Sequence, residues 1–592
     1  METDATPSPA NPKRHWYQYS LRTLLIGVAV TISGEMARLH GGAKQGRTGK
    51  LAKWISHPRR RGGFMFGKLL SRVSEAPTNP HAENRAPPTF DVVELYRGPV
   101  AGADEGTPAV PLALDEKLRQ AYFWIVNQAV ISPFYDIEFN TSAPQEFILG
   151  DGQSRVTLPS GQSYSSFVLL PLLTFAARRK CLLVGGPGRG KTSSAILMGV
   201  LAGYSLRDVR RAVQKGQPQM TLSDLLGSPL PADMMQAKSL DQIGVAWRKW
   251  LGMRVKIIDE YNRIPTRTQS ALLTLMSDNY AEIFDQTYEC PEAAWYLTAN
   301  DDAGGGTYQV IEALRDRIDI VVKALHFNPR FLDDLLARIE GGIRPEENVP
   351  APLIFTEEEQ DRLYKDILTV KVPEPVLRRL EFFASQFEFF DAAAPQLEYK
   401  TKDTARLSGL EWNRVTAMDT GKDRRQDLGS QTCNGLSVRS LMTVLVFVKA
   451  LARFRGNHEV ELEELRQIVP FLLHDKLVQD PDSPFFELPE HASLRIDKIG
   501  WIRRLFDLSC AEYDRLDLDR DDPVATLSTE FNRGLDGLTA KEVRARLVKI
   551  ERLLGEWSKG RKLYGPMFDD VLKLKYLHQR YTNYLRWLEW KG

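Results

Sequence analysis

Short unbroken apolar runs in this chain end in glycine, acid or amide residues, while longer stretches repeat their apolar positions every three or four residues. Cys181-Leu-Leu-Val184, Arg254-Val-Lys-Ile-Ile-Asp259 and Trp295-Tyr-Leu-Thr-Ala-Asn300 have the length of strands covered on both faces. Ser165 to Arg178 and Ser193 to Leu201 have the spacing of helices placed between such strands. The alternation predicts an α/β core whose strand ends carry Asp259, Glu260 and Asn300 at the edge where such sheets bind ligands. A short strand is expected within Gln217 to Asp224, followed by a polar insertion that includes Gly227 to Leu240. After roughly residue 329 the helical period continues alone. Leu441 to Phe454 reads as one long helix, and Pro481 to Pro489 punctuates a boundary before a separate helical bundle, Ser493 to Trp590. That bundle repeats Trp501, Ile502, Leu505, Phe506, Val543, Ile550, Phe568 and Leu574 at helical spacing, and its aromatic residues Tyr576, Tyr581, Tyr584, Trp587 and Trp590 are expected to pack in its core.

The chain ahead of the core differs in character. Between residues 11 and 72, basic residues including Arg14, Arg22, Lys44, Arg47, Arg59, Arg60, Arg61 and Lys68 face Glu35 alone. The apolar part of that span, Leu24 to Ser33, is about half the roughly 20 residues a spanning helix needs, and no small-x-small cleavage site follows it. Region 1–90 is therefore expected to be basic and disordered, with a nucleic-acid or membrane-surface contact as the alternative. Pro77 to Pro88 is a linker by composition. Residues 91–164 are mixed, with an amphipathic helix over Asp115 to Ile131 and a hairpin from Phe147 to Thr157 turning at Gly150-Asp151-Gly152; no recognisable chemistry falls there.

The strongest chemical signal is Leu182 to Thr192, LLVGGPGRGKT, where a strand runs through a glycine-rich turn into a helix. Its spacing is that of a phosphate-binding loop. Gly185, Gly188 and Gly190 let the backbone close round a polyphosphate, and the whole run Gly185, Gly186, Pro187, Gly188, Arg189, Gly190, Lys191, Thr192, Ser193 supplies the ATP cradle. Lys191 is placed for the β- and γ-phosphate oxygens and Thr192 for Mg²⁺. Asp259 and Glu260, about 70 residues on, read as the acids that complete such a site: Asp259 for the Mg²⁺ shell and Glu260 to polarise the attacking water.

Ile257 to Met276, IIDEYNRIPTRTQSALLTLM, resembles the DEINRAPPKTQSALLEAM block of MoxR-type AAA+ ATPases. Landmarks continue in order: Trp295 to Asn300 resembles the sensor 1 strand, Gly306 to Ile318 the GTYPLPEALLDRF segment, Gly435-Leu-Ser-Val-Arg439-Ser the sensor 2 helix start, and Val460 to Leu477 the closing part of the lid. The likeness runs from roughly residue 165 to 480. It implies an α/β P-loop AAA+ core with a parallel five-stranded sheet flanked by helices, an α-helical lid, and here an additional C-terminal helical domain. It further implies catalytic roles for Lys191, Glu260, Asn300, Arg317 and Arg439. Asn300 would bond the γ-phosphate or its water; Arg317, with Arg315 as the substitute, would be the finger entering a neighbouring subunit; Arg439 would reach back to the nucleotide from the lid. A homo-oligomeric, hexameric ring acting on a protein client, through a von Willebrand factor A domain partner, is implied in the same way, and Gly227 to Leu240 falls where the family places its helix 2 insert, a lining of the pore or top face. Two departures bear on loop geometry: Asp301-Asp302 and Val438 stand where the family commonly has proline. The lid also holds extra chain, Glu388 to Thr432, which reads as a surface loop and partner contact.

Composition narrows the setting. With 592 residues, 43% hydrophobic and 26% charged, the chain has room for three or four domains of about 150 residues. The expected order is 1–90 basic, 91–164 mixed, 165–328 AAA+ core, 329–480 lid with insertion and 481–592 C-terminal helices. A net charge of +2 excludes a polyanion-binding character for the molecule as a whole. The four cysteines, far apart and without C-x-x-C, argue against a disulfide framework or zinc knuckle and for a reducing cytoplasmic setting, with peripheral membrane association through the basic region as the alternative. The expected function is an ATP hydrolase that remodels, assembles or activates a partner complex; the alternatives are a nucleotide-gated scaffold with little hydrolysis and a nucleic-acid-associated AAA+ motor.

Overall fold

Each apolar run becomes a strand because helices cover it on both faces, leaving no polar backbone to solvate. The computed structural model describes residues 113–150, 155–236, 243–283, 285–300, 312–390, 396–409, 428–520, 522–560 and 563–591. Region 1–90 with its linker, Asp151-Gly152 of the hairpin turn, Asp301-Asp302, the start of the Gly306 to Ile318 segment, and residues 391–395 and 410–427 of the lid elaboration lie outside these.

Helix α1, Leu114–Trp124, runs on into a π-helical turn, Ile125–Ala129. An antiparallel pair of β1, Gln145–Ile148, and β2, Arg155–Leu158, follows, and every residue of the two strands is exposed. Helix α2, Ser166–Ala177, delivers the chain to β3, Lys180–Val184, and the glycine-rich turn leads into α3, Lys191–Leu201. Strand β4, Gln214–Lys215, lies just before the stretch predicted for it; Leu222–Leu225 is instead a helical turn, because Thr221 and Asp224 form a reciprocal capping box there. The polar insertion folds as an antiparallel pair, β5 Gly227–Pro229 and β6 Val245–Trp247, ahead of β7, Val255–Asp259. Helix α4, Thr266–Asp278, leads into a second hairpin, β8 Tyr280–Ile283 with β9 Gln286–Glu289, and then come β10, Ala294–Ala299, helix α5, Glu312–Arg317, and β11, Ile320–Lys323.

The central sheet has the order β11-β3-β10-β7-β4, parallel throughout. Alternate residues feed two cores, as the strand period requires. Cys181, Leu183, Ile257 and Tyr296 join the α2 side, while Leu182, Ile258, Trp295 and Leu297 join the α4 side. The chain crosses from β3 to the far edge and returns strand by strand before β11 closes the other side, so the P-loop strand sits at the switch point where a ligand crevice opens.

The lid comprises α6, Leu332–Glu340, α7, Glu357–Thr369, α8, Glu374–Glu388, α9, Val438–Arg455, and α10, Leu462–Leu473. Its core extends past the boundary predicted at residue 481. Helix α11, Lys498–Arg515, buries Trp501, Ile502, Leu505 and Phe506 in the same cluster as Phe383 and Phe447. Within the stretch read as a boundary, Pro484 and Pro489 sit at the starts of 3₁₀ turns, where a missing N–H costs nothing, and Phe485 and Phe486 are buried there. Trp501→Ala is therefore expected to lower stability by about 3–5 kcal/mol, read by denaturant unfolding; a loss under about 1 kcal/mol would detach α11 from the lid.

The remaining helices, α12 Pro523–Asn532, α13 Ala540–Trp557 and α14 Gly565–Lys591, share a smaller core of Val524, Val543, Ile550, Leu574, Leu577 and Tyr581. The expectation of buried terminal aromatics holds for Tyr581, which continues the inward row of Leu574 and Leu577, but Trp590 is 83% exposed and Tyr576 and Trp587 are nearly half exposed. No helix among the described residues is long and apolar enough to cross a membrane.

Candidate nucleotide site

The glycine-rich turn leaves β3 at Gly185 and enters α3 at Lys191. Gly188 and Gly190 have φ of 73° and 75°, and a Cβ built on either meets nothing within 4 Å, so the loop bends round open space. By helix geometry the first-turn N–H groups of α3 point out of its N-terminal end, toward the loop. Lys191 is 7% exposed; its ammonium donates to the carbonyls of Gly185 and Gly186 at 2.6 and 2.8 Å and to Asn300 Oδ1 at 3.0 Å. The conformation of Arg189 is fixed separately, by bonds from its guanidinium to the Ala324 carbonyl at 3.1 Å and to the His326 ring.

Two hydrogen-bond chains meet beside the loop. In the first, Asp259 Oδ1 accepts from Thr192 Oγ1 at 2.7 Å and from Thr298 Oγ1 at 2.6 Å, and Thr298 Oγ1 accepts the Glu260 N–H at 3.0 Å. In the second, Asn300 Nδ2 donates to Glu260 Oε1 at 3.3 Å, and Arg263 pairs with Glu260 Oε2 at 3.1 Å. Glu260 itself has φ 54°, a left-handed conformation that costs a non-glycine residue about 1–3 kcal/mol. Its N–H on Thr298 and its carbonyl on the Arg263 N–H, at 2.9 Å, hold it there, and Gly216 packs so closely on that carbonyl that a Cβ would collide with it. Sequence reading placed Lys191, Thr192, Asp259, Glu260 and Asn300 on one sheet edge, and the structure brings these five together. It did not identify Thr298 or Arg263, although Thr298 follows directly on the Leu297–Ile258 pairing and so lies beside Asp259.

The chain is similar to known proteins over this region. Residues 180–320 match the profile of the ATPase family associated with various cellular activities (AAA). Over 315 residues the chain is 22% identical to Chaperone MoxR1 of Mycobacterium tuberculosis, spanning 53% of this chain and 71% of that protein. The chain is thus similar to MoxR-type AAA+ ATPases, with the AAA match falling on the phosphate loop, the acidic pair and the strands that carry them. Solved structures similar to it include a candidate ATPase from Cytophaga hutchinsonii, 17% identical with a TM-score of 0.38 over 56% of this chain and 88% of that one. A full-length MCM homologue from Methanopyrus kandleri is 13% identical with a TM-score of 0.30, over 52% and 55% respectively.

The AAA+ crevice opens on a cavity of about 700 Å³. It is lined by Ser132, Phe134 and Phe167, by Leu335 and Ile339 of α6, and by Gly188, Arg189 and Gly190 of the phosphate loop. The segment that carried no recognisable chemistry thus builds a side of the nucleotide crevice. Its contribution is long-range packing, which no local motif announces. Helix α6 buries none of its residues, and Leu332, Leu336 and Ile339 are more than half exposed.

Arg317 and Arg439 lie elsewhere. Arg317 donates to Ser277 Oγ and to the Ala313 carbonyl at 2.8 Å. Arg439 pairs with Asp316, one residue before Arg317. This region adjoins the start of β3: Thr443 of α9 donates to Asp319 at 2.7 Å, and Asp319 accepts the Lys180 N–H at 2.9 Å. Lys180 and Gly185 stand at opposite ends of β3, about 16 Å apart at strand rise. The structure therefore does not bring Arg439, expected to reach back to the nucleotide, to the phosphate loop of its own chain: it stands beside Asp316 and Lys180, at the opposite end of the sheet. The cause is the docking of the lid, since Lys476 also donates to the carbonyls of Ile318 and Arg315, at 2.6 and 3.1 Å, and Asp475 pairs with Arg315.

Proposed function

We propose that this chain hydrolyses ATP with Mg²⁺ at sites shared between copies in a ring, and uses the cycle to remodel a protein client. The observation that carries the reading is the meeting of Thr192, Asp259, Thr298, Lys191, Asn300 and Glu260 at the mouth of an open phosphate loop. The donor set suits the ion: a hydroxyl and a carboxylate on one point form the all-oxygen site of a hard cation, with Thr192 and Asp259 as its protein ligands. Bound there, Mg²⁺ would neutralise charge on the β- and γ-phosphate oxygens. Lys191 and the loop N–H groups hold the phosphates, and Glu260, aimed by Asn300 and Arg263, takes the proton of the attacking water. The phosphate loop faces one way and Arg317 with Arg439 the other, so a head-to-tail neighbour would add its arginine pair to the cations this site already holds. Remodelling of a client rests on the likeness to a protein named a chaperone, and a von Willebrand factor A partner rests on the family resemblance.

Thr298→Val tests the metal assignment. Losing both bonds to Asp259 and Glu260 is expected to raise the Mg²⁺ concentration for half-maximal ATPase by about tenfold, as partners of metal ligands generally do. An unchanged Mg²⁺ titration would place the metal elsewhere.

A further inference from the structure

Arg439 leaves α9 in its first turn, and that turn is anchored from the far side of the lid. At the C-terminal end of α8, Glu388 Oε1 accepts the Leu436 N–H at 2.9 Å, three residues before Arg439. Gly435 lies flat against the same carboxyl, and a Cβ on it would sit 2.5 Å from Oε1. Leu436 is buried, and Ser437 caps the helix by accepting the Ser440 N–H at 3.2 Å. Between the anchor and the cap, the direction in which Arg439 departs is set before it meets Asp316.

The lid elaboration and the last helix enclose this anchor. Lys402, 3% exposed, donates to the Gly429 carbonyl, to the Thr432 carbonyl at 3.1 Å and to Thr432 Oγ1 at 2.8 Å, tying down the chain that leads into Gly435. The elaboration is thus not wholly the surface loop expected from its composition, because Gln431 and Thr432 are also fully buried. Helix α14 closes the other side: Phe568 packs on Phe389 with ring centres 5.1 Å apart, and Gly565 has no room for a side chain against Ser385. The charged groups acting on Glu388 are Asp403 and Lys402 of the elaboration and Asp569 of α14; burial pushes the Glu388 carboxyl up to about 7 and Asp569 up to about 6.

We propose that Glu388 is a positioning residue for the completed ATPase site: by holding the Leu436 N–H it fixes the first turn of α9 so that Arg439 stands on Asp316 beside Arg317, ready for the neighbouring copy. The proposal rests on the reading of Arg439 as part of the charge supplied to that neighbour. It gives the lid elaboration and α14 a common task, the enclosure of the Glu388 anchor, remote from the phosphate loop.

The test compares ATPase rates of the full chain at a concentration where assembly is complete, with Mg-nucleotide affinity and thermal unfolding measured alongside. Arg439→Ala, Glu388→Ala and Gly435→Ala are each expected to lower kcat by about 10²-fold, the size of effect a misplaced group produces, with nucleotide affinity unchanged. Glu388→Gln, whose amide oxygen still accepts from Leu436, is expected to stay within about threefold of the parent. The double variant Glu388→Ala/Arg439→Ala should be no slower than Arg439→Ala alone. If Glu388→Ala keeps its rate while Arg439→Ala loses it, if Glu388→Gln falls as far as Glu388→Ala, or if the losses multiply, Glu388 does not act through Arg439. A full rate in Arg439→Ala itself would instead remove the reading of that arginine, and the positioning role with it.

Discussion

Glu260→Gln is expected to lower the steady-state ATPase rate by about 10²- to 10⁴-fold, the contribution of a positioned general base, with Mg-nucleotide affinity nearly unchanged. Affinity should hold because, in the proposed reading, Lys191 and the glycine-rich loop would contact the phosphates and Thr192 and Asp259 would be the metal ligands. The amide preserves the shape of the side chain and can still accept from Asn300, so the variant removes proton uptake and the exposed pairing with Arg263. The left-handed backbone at residue 260 is held by its N–H on Thr298 Oγ1 and by its carbonyl on the Arg263 N–H, which the substitution leaves alone. Rates from phosphate release and affinities from a fluorescent nucleotide separate the two effects. A variant within about fivefold of the parent would require a different base.

Arg317→Ala is expected to cost more, about 10³- to 10⁵-fold in rate at full assembly, the range measured for arginine fingers. Among the described residues its hydrogen bonds go to Ser277 Oγ and the Ala313 carbonyl, both exposed contacts within the same region. Arg315 makes a useful contrast. It pairs with Asp475, and its carbonyl receives Lys476, so it ties α5 to the lid and is already engaged in its own chain. Arg315→Ala should lose less than about tenfold, the scale of an exposed ion pair and a modest shift of α5. If the two losses were reversed, Arg315 would be the finger.

What the sequence revealed and what it concealed divide along physical lines. The phosphate loop and the Asp259-Glu260 pair were legible because each is contiguous, with its spacing imposed by one turn or one strand end. Asn300 was legible only through its neighbours, and Thr298 not at all, since a threonine inside an apolar strand looks like any other β-branched residue until the register sets it against Asp259. The cavity walls at Ser132, Phe134 and Phe167 come from chain far ahead of the loop, placed by packing alone. The position of Arg439 depends on which side of the lid docks on α5, a matter of Thr443, Asp319, Lys476 and Asp316, none adjacent in sequence. The boundary at residue 481 failed for a similar reason: proline at the start of a 3₁₀ turn and proline in a linker look alike, and only the burial of Phe485 and Trp501 separates them.

The central claim is that each site is built from two copies of this chain, and mixing two inactive variants tests it most directly. Glu260→Gln keeps its finger edge but not its own site; Arg317→Ala keeps its site but offers no finger. Mixed one to one and assembled together, they are expected to recover about a quarter of the parent rate per subunit, the share of head-to-tail interfaces that pair an intact site with an intact finger. No recovery from a mixture shown to co-assemble and bind Mg-nucleotide would contradict the shared site.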